Sequence, residues 1–136
     1  MSQVHRGVAC QIFISEIDAE HKILTRLIGE LESALNSRAR IPAGLLQSLV
    51  SHFHDHFAHE ERLMRQSRYD AFPWHKQQHD GARRRTRQLV RLIEQGDRHA
   101  GAEMLEYVTG WLKGHVAVTD RMMAAYLRNY SRRHAA

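Results

Sequence analysis

Cysteine is almost absent from this chain: Cys10 stands alone among 136 residues. A single thiol makes neither an internal disulfide nor an all-cysteine metal site, and it suits a reducing compartment. Proline and glycine are scarce too, at two and eight residues, so little in the sequence breaks a helix. Apolar runs are only a few residues long, which leaves nothing to cross a bilayer. The same shortage denies the "GVAC" of residues 7–10 the apolar core of a secretory leader. A cytoplasmic protein that meets no membrane is expected. Acidic residues are outnumbered, fifteen against twenty Lys and Arg, in a composition that is 43% hydrophobic and 26% charged. That balance is ordinary for a folded globular chain, and the length fits one domain over residues 1–136.

Histidine is the exception, at eleven residues. Helix-favouring residues and short polar connections predict four helices at about 18–36, 42–67, 73–95 and 98–129. Pro42 and Pro73 open the second and third, Gly96 closes the third, and Asp97 caps the fourth. Short loops make successive helices antiparallel. The expected fold is all-α, an up-down-up-down four-helix bundle with an N-terminal arm.

The helical seams combine apolar and ionisable residues. Ile17, His21, Leu24, Ile28 and Leu31 share a face of the first helix, and Leu49, Phe53, His56, Glu60 and Leu63 a face of the second. The third presents His75, His79, Ala82, Thr86 and Leu89, and the fourth Met104, Val108, Trp111, His115, Val118 and Met122. Burying a neutral polar group without a partner costs roughly 2–7 kcal/mol. Convergence of His21, His56, Glu60, His75, His79 and His115 therefore calls for something that satisfies them all. Asp120, five residues past His115, supplies a second carboxylate. Seven protein donors exceed what one zinc takes, and mixed imidazole and carboxylate suit two octahedral ions, iron above all.

The residues in question stand as Ile17-Asp18-Ala19-Glu20-His21-Lys22, then His56-Phe57-Ala58-His59-Glu60-Glu61-Arg62-Leu63-Met64. Tyr69 and Pro73 follow, then His75-x3-His79, and last Trp111-Leu112-Lys113-Gly114-His115-x4-Asp120. Over about residues 12–123 this resembles the hemerythrin family, specifically its bacterial single-domain members. The resemblance implies two irons per chain, one held by His75, His79 and His115 and the other, with an open position, by His21 and His56. It makes Glu60 and Asp120 bridging ligands beside an oxo or hydroxo bridge. It implies that dioxygen binds reversibly at the open iron, for storage, delivery or sensing of O2. Trp111, Val116, Phe57 and Leu24 are expected to wall the pocket, and small anions to enter the open position when the irons are oxidised. The chain departs from the family pattern at Arg6 and Phe13 in the arm, and Ala82 and Val116 suggest a roomier pocket.

Two other readings stay open: a di-iron oxidase, peroxidase or nitric-oxide-handling enzyme on the same site, and a basic interaction or sensor module with an unidentified protein partner. Ferritin-like oxidases use Glu-x-x-His, which does not occur here. Arg83, Arg84, Arg85, Arg87 and Arg91 lack interleaved aromatics, so they are expected to be a solvated helix face, and nucleic acid is not an expected partner. Glu61 is likewise expected to be solvated, and His59 a bystander. Finally, a straight α-helix would turn Asp120 ~140° away from His115. Because the resemblance makes Asp120 a ligand beside His115, a π-type irregularity between about Lys113 and Asp120 is expected, with Gly110 and Gly114 easing it or letting another helix approach.

Overall fold

A buried side chain at every third or fourth position gives each helix one apolar face, and packing those faces together buries the core. The computed structural model describes residues 14–38 and 40–135; the expected N-terminal arm, with Arg6, Cys10 and Phe13, lies outside them. Helices α1 (Ser15–Asn36), α2 (Ala43–Gln66) and α3 (Phe72–Glu94) form three rods. The fourth consists of α4 (Ala100–Gly114), a π-helical turn (His115–Asp120) and α5 (Arg121–Arg133). No strand occurs among the described residues. The fold is all-α: α1 packs on α2 and α4, and α3 packs on α2 and α4.

Left-handed residues close three of the rods. Arg38 and Arg68 have φ of 56° and 57°, and Gly96 has 90°. After α2 and α3 the chain reaches back through Tyr69 N–H to the Met64 carbonyl and Asp97 N–H to the Leu92 carbonyl, satisfying helix-end acceptors. Asp97 Oδ1 accepts a hydrogen bond from His99 N–H just before α4 begins. At the other end of the fourth rod, Tyr126 donates to the Ser67 carbonyl and fastens α5 to the end of α2.

The core runs through Leu24, Ile28, Leu31, Leu49, Phe53, Leu89, Met104, Val108 and Leu112. The expected seam of the fourth rod fails after His115. Val118 and Met122 are 57% and 50% exposed, and Val116, Thr119, Asp120, Met123 and Ala124 are buried instead. The π turn causes this, since one residue accommodated in a wider turn re-phases everything beyond it. Gly110 and Gly114 do not admit a neighbouring helix: a Cβ at either would meet nothing within 4 Å.

Candidate metal centre

α1 contributes His21, α2 His56 and Glu60, α3 His75 and His79, and the π turn His115 and Asp120. All seven are buried, and the structure draws them into two adjoining groups that share both carboxylates. In the first, Glu60, His75, His79, His115 and Asp120 each offer one atom within 4.8 Å of the others; the second is His21, His56, Glu60 and Asp120.

Each carboxylate faces both groups. Glu60 Oε1 lies 3.2 Å from His75 Nε2 and 3.0 Å from His79 Nε2, and its Oε2 lies 3.2 Å from His56 Nε2. Asp120 Oδ1 lies 3.0 Å from His115 Nε2 and 3.2 Å from His75 Nε2, while Oδ2 lies 3.1 Å from His21 Nε2. The π turn brings this about. An i→i+5 turn returns residue 120 to the side of the rod occupied by residue 115, where an α-helix would not.

Hydrogen bonds on the outer edges fix the rings. His56 Nδ1 donates to Glu20 Oε1 at 2.7 Å, His79 Nδ1 to Glu61 Oε2 at 2.8 Å, and His115 Nδ1 to Gln78 Oε1 at 2.9 Å. With its proton on Nδ1, each of these imidazoles turns an Nε2 lone pair inward. Flat aromatic contacts support two of them. Phe57 stacks on His79 and Trp111 on His115, both with ring centroids 4.2 Å apart. Of the four expected wall residues, Phe57 and Trp111 thus back the three-histidine group, while Leu24 and Val116 are buried in the apolar core.

Protons and carboxylates alone leave the centre unbalanced. Among the described residues, Glu60 Oε2 and both Asp120 oxygens are buried without a hydrogen-bond partner, a costly state for charged oxygens. Burial opposes ionisation of His56, but the Glu60 charge and the Glu20 hydrogen bond push it up to about 10. His75 is likewise lowered by burial and raised more strongly by Asp120 and Glu60, to about 9. The surrounding imidazoles hold Glu60 and Asp120 below the usual carboxylate range despite burial. The donor set fits metal. Nitrogens on adjacent corners of an octahedron with bonds of about 2.1 Å sit roughly 3.0 Å apart. His115 Nε2 lies 3.0 Å from His75 Nε2 and 3.1 Å from His79 Nε2, and the His21 and His56 Nε2 atoms are 3.2 Å apart.

Several residues that frame the centre were not legible as such in the sequence. Glu61 is not solvated: it is 6% exposed, bonded to His79 and paired with Arg83 at 2.7 and 3.2 Å. Its ~100° offset from Glu60 points it at α3 rather than at water. Glu20 accepts from His59 Nδ1 at 2.6 Å as well as from His56, so His59 is tied to the centre at one remove. Gln78 accepts from Thr119 and His115 together. Glu20 lies inside the motif around His21, which was a signal. Nothing in a single sequence marks Gln78 as the partner of a residue on another rod. His54 is exposed, and His52, also exposed, bonds the Ser48 carbonyl in its own helix.

Comparison with known proteins agrees with this arrangement. Residues 12–127 match the family model "Hemerythrin HHE cation binding domain". The chain is 32% identical to a bacteriohemerythrin of Aquifex aeolicus over 82% of this chain and 87% of that protein. It is 28% identical to a bacteriohemerythrin of Stenotrophomonas maltophilia, covering 90% and 83% of the two chains. It is also 28% identical to the myohemerythrin of Sipunculus nudus, covering 81% and 82%. No solved structure matches significantly. With its family signature spanning most of the sequence and a histidine and carboxylate cluster able to hold metal at the centre of the bundle, the chain belongs to the hemerythrin HHE cation-binding family.

Proposed function

We propose that this chain binds two iron ions and, through them, dioxygen reversibly. His75, His79 and His115 would hold one iron and His21 and His56 the other, with Glu60 and Asp120 bridging. The observation that carries this is the placing of one oxygen of each carboxylate toward each histidine group. Bound iron supplies the redox electrons that dioxygen binding needs. The protein contributes an unequal donor set: three histidines on one side and two on the other, so the second ion is left with a coordination position for a small ligand. The same position would take small anions in the oxidised state. Five neutral imidazoles and two carboxylates give little anionic charge, which disfavours the high oxidation states that an oxidase needs. That chemistry supports carriage, storage or sensing of O2 over catalysis. Among the described residues no helix is long and apolar enough to cross a membrane, and the lone Cys10 suits the reducing cytoplasm.

The test is anaerobic loading with ferrous iron, metal analysis, and visible spectra under air and then argon. Two irons per chain and a colour that appears and reverses support the reading. One metal per chain, or prompt irreversible oxidation with release of peroxide, overturns it.

A further inference from the structure

Apart from the metal centre, α2 and α3 leave a groove of about 500 Å³ between them. That volume falls within the range of small-molecule sites, about 300–1,000 Å³. Its floor is apolar: Val50, Phe53, Phe57 and Val90 line it, and Phe53 and Phe57 are buried. The groove extends along α2 from Leu46 to Phe57, eleven helical steps or ~16 Å.

The rim is cationic. Arg83 lies over the Phe57 ring at 5.2 Å. It is anchored to Glu61 and Asp80, yet its Nε is buried without an acceptor among the described residues. Arg87 and His54 are exposed beside the same groove, and Arg87 has no ion-pair partner among the described residues. Among the described residues no carboxylate lines the groove. An apolar trough ~16 Å long with the exposed guanidinium of Arg87 on its rim asks for a ligand that is apolar over most of its length and anionic at one end. A guanidinium is matched best by a planar carboxylate. We propose that this groove binds a medium-chain monocarboxylate, a fatty acid anion of about ten carbons, with its chain along Val50, Phe53, Phe57 and Val90 and its carboxylate on Arg87.

The test is calorimetric titration of the purified full-length protein with decanoate, with decanol as the uncharged control. Saturable binding of decanoate and at least tenfold weaker binding of decanol are expected. Arg87→Ala removes one charged hydrogen-bonding partner and should weaken decanoate about tenfold. Ser51→Trp, an exposed position on the rim, should block the groove and abolish binding, with circular dichroism checking that both variants remain helical. Absence of saturable binding by millimolar decanoate, equal binding of decanol, wild-type affinity in Arg87→Ala, or binding that survives Ser51→Trp would each overturn the proposal. So would a wild-type dimer that Ser51→Trp converts to monomer, because the groove would then belong to a second copy of the chain.

Discussion

Glu20 and His59 are joined by a 2.6 Å hydrogen bond from the imidazole Nδ1 to the carboxylate. The other oxygen of Glu20 takes the Nδ1 proton of His56, one of the proposed ligands. Glu20 therefore sets the tautomer of His56, and His59 holds Glu20 still. Loss of an outer hydrogen-bond partner of a ligating histidine typically costs ~10–100-fold in metal affinity. Glu20→Ala should do so, and His59→Ala should cost less, since Glu20 remains bonded to His56. Chelator competition measures both. Equal retention of metal by wild type and Glu20→Ala would remove Glu20 from the centre.

Arg83 has a structural role at the other group. It forks onto Glu61, which is nearly buried and takes the Nδ1 proton of His79. Arg83→Ala leaves that carboxylate short of a partner and should cost on the order of 2 kcal/mol in stability. Arg83→Lys should recover only part, because an ammonium cannot reproduce the fork. Denaturant melts of the three proteins decide the order: lysine matching arginine would mean that charge alone matters.

Removal of one residue from the π turn provides a sharper check on Asp120. Ala117 is exposed within it, and its deletion should convert the turn to regular α-helix. The carboxylate would then stand four residues after His115, ~40° around a regular helix and on the same face, so the bundle should stay helical and keep its metal. Loss of metal from the deletion variant would show that the wider turn itself, and not only the face Asp120 occupies, is required.

Stability of the iron-stripped protein should depend on pH in a defined direction. His56 and His75 are raised from 6.5 to about 10 and about 9. Their contribution is complete below 6.5 and is lost as pH rises toward 9 and 10. Glu60 and Asp120 are lowered, so theirs is present above the ordinary carboxylate range and lost as pH falls. The melting temperature should thus decline from pH 6.5 toward 10 and again in acid. Iron displaces those histidine protons, so the loaded protein should not decline between 6.5 and 9. A stripped protein whose melting temperature climbs over that interval would contradict this account.

The bundle and six of the converging donors were legible in the sequence because both rest on spacing along single helices. His56 and Glu60, or His75 and His79, share a face whatever surrounds them. Asp120 and the π turn were legible only through the family resemblance, which sets beside His115 a carboxylate that regular helix geometry would turn away. The hidden features depend on neighbours in space. Glu61 looks solvated until α3 is packed beside it, and Gln78 gains its role only when the fourth rod is in place. Val118 and Met122 were misplaced because a constant helical period was carried through a point where the period changes.

That change of period has a further consequence for how the fourth rod tolerates sequence change. Up to His115 the rod obeys one frame; from Arg121 onward Met123 and Ala124 face inward in another. The π turn behaves as a phase joint, and each segment answers only to its own frame. A residue gained or lost within α4 slides the bundle interior against three other rods. The same event in the exposed end of α5 displaces only the few residues beyond it. A single periodic template therefore cannot describe this rod, and a redesign that imposes one would misassign every inward position beyond Asp120.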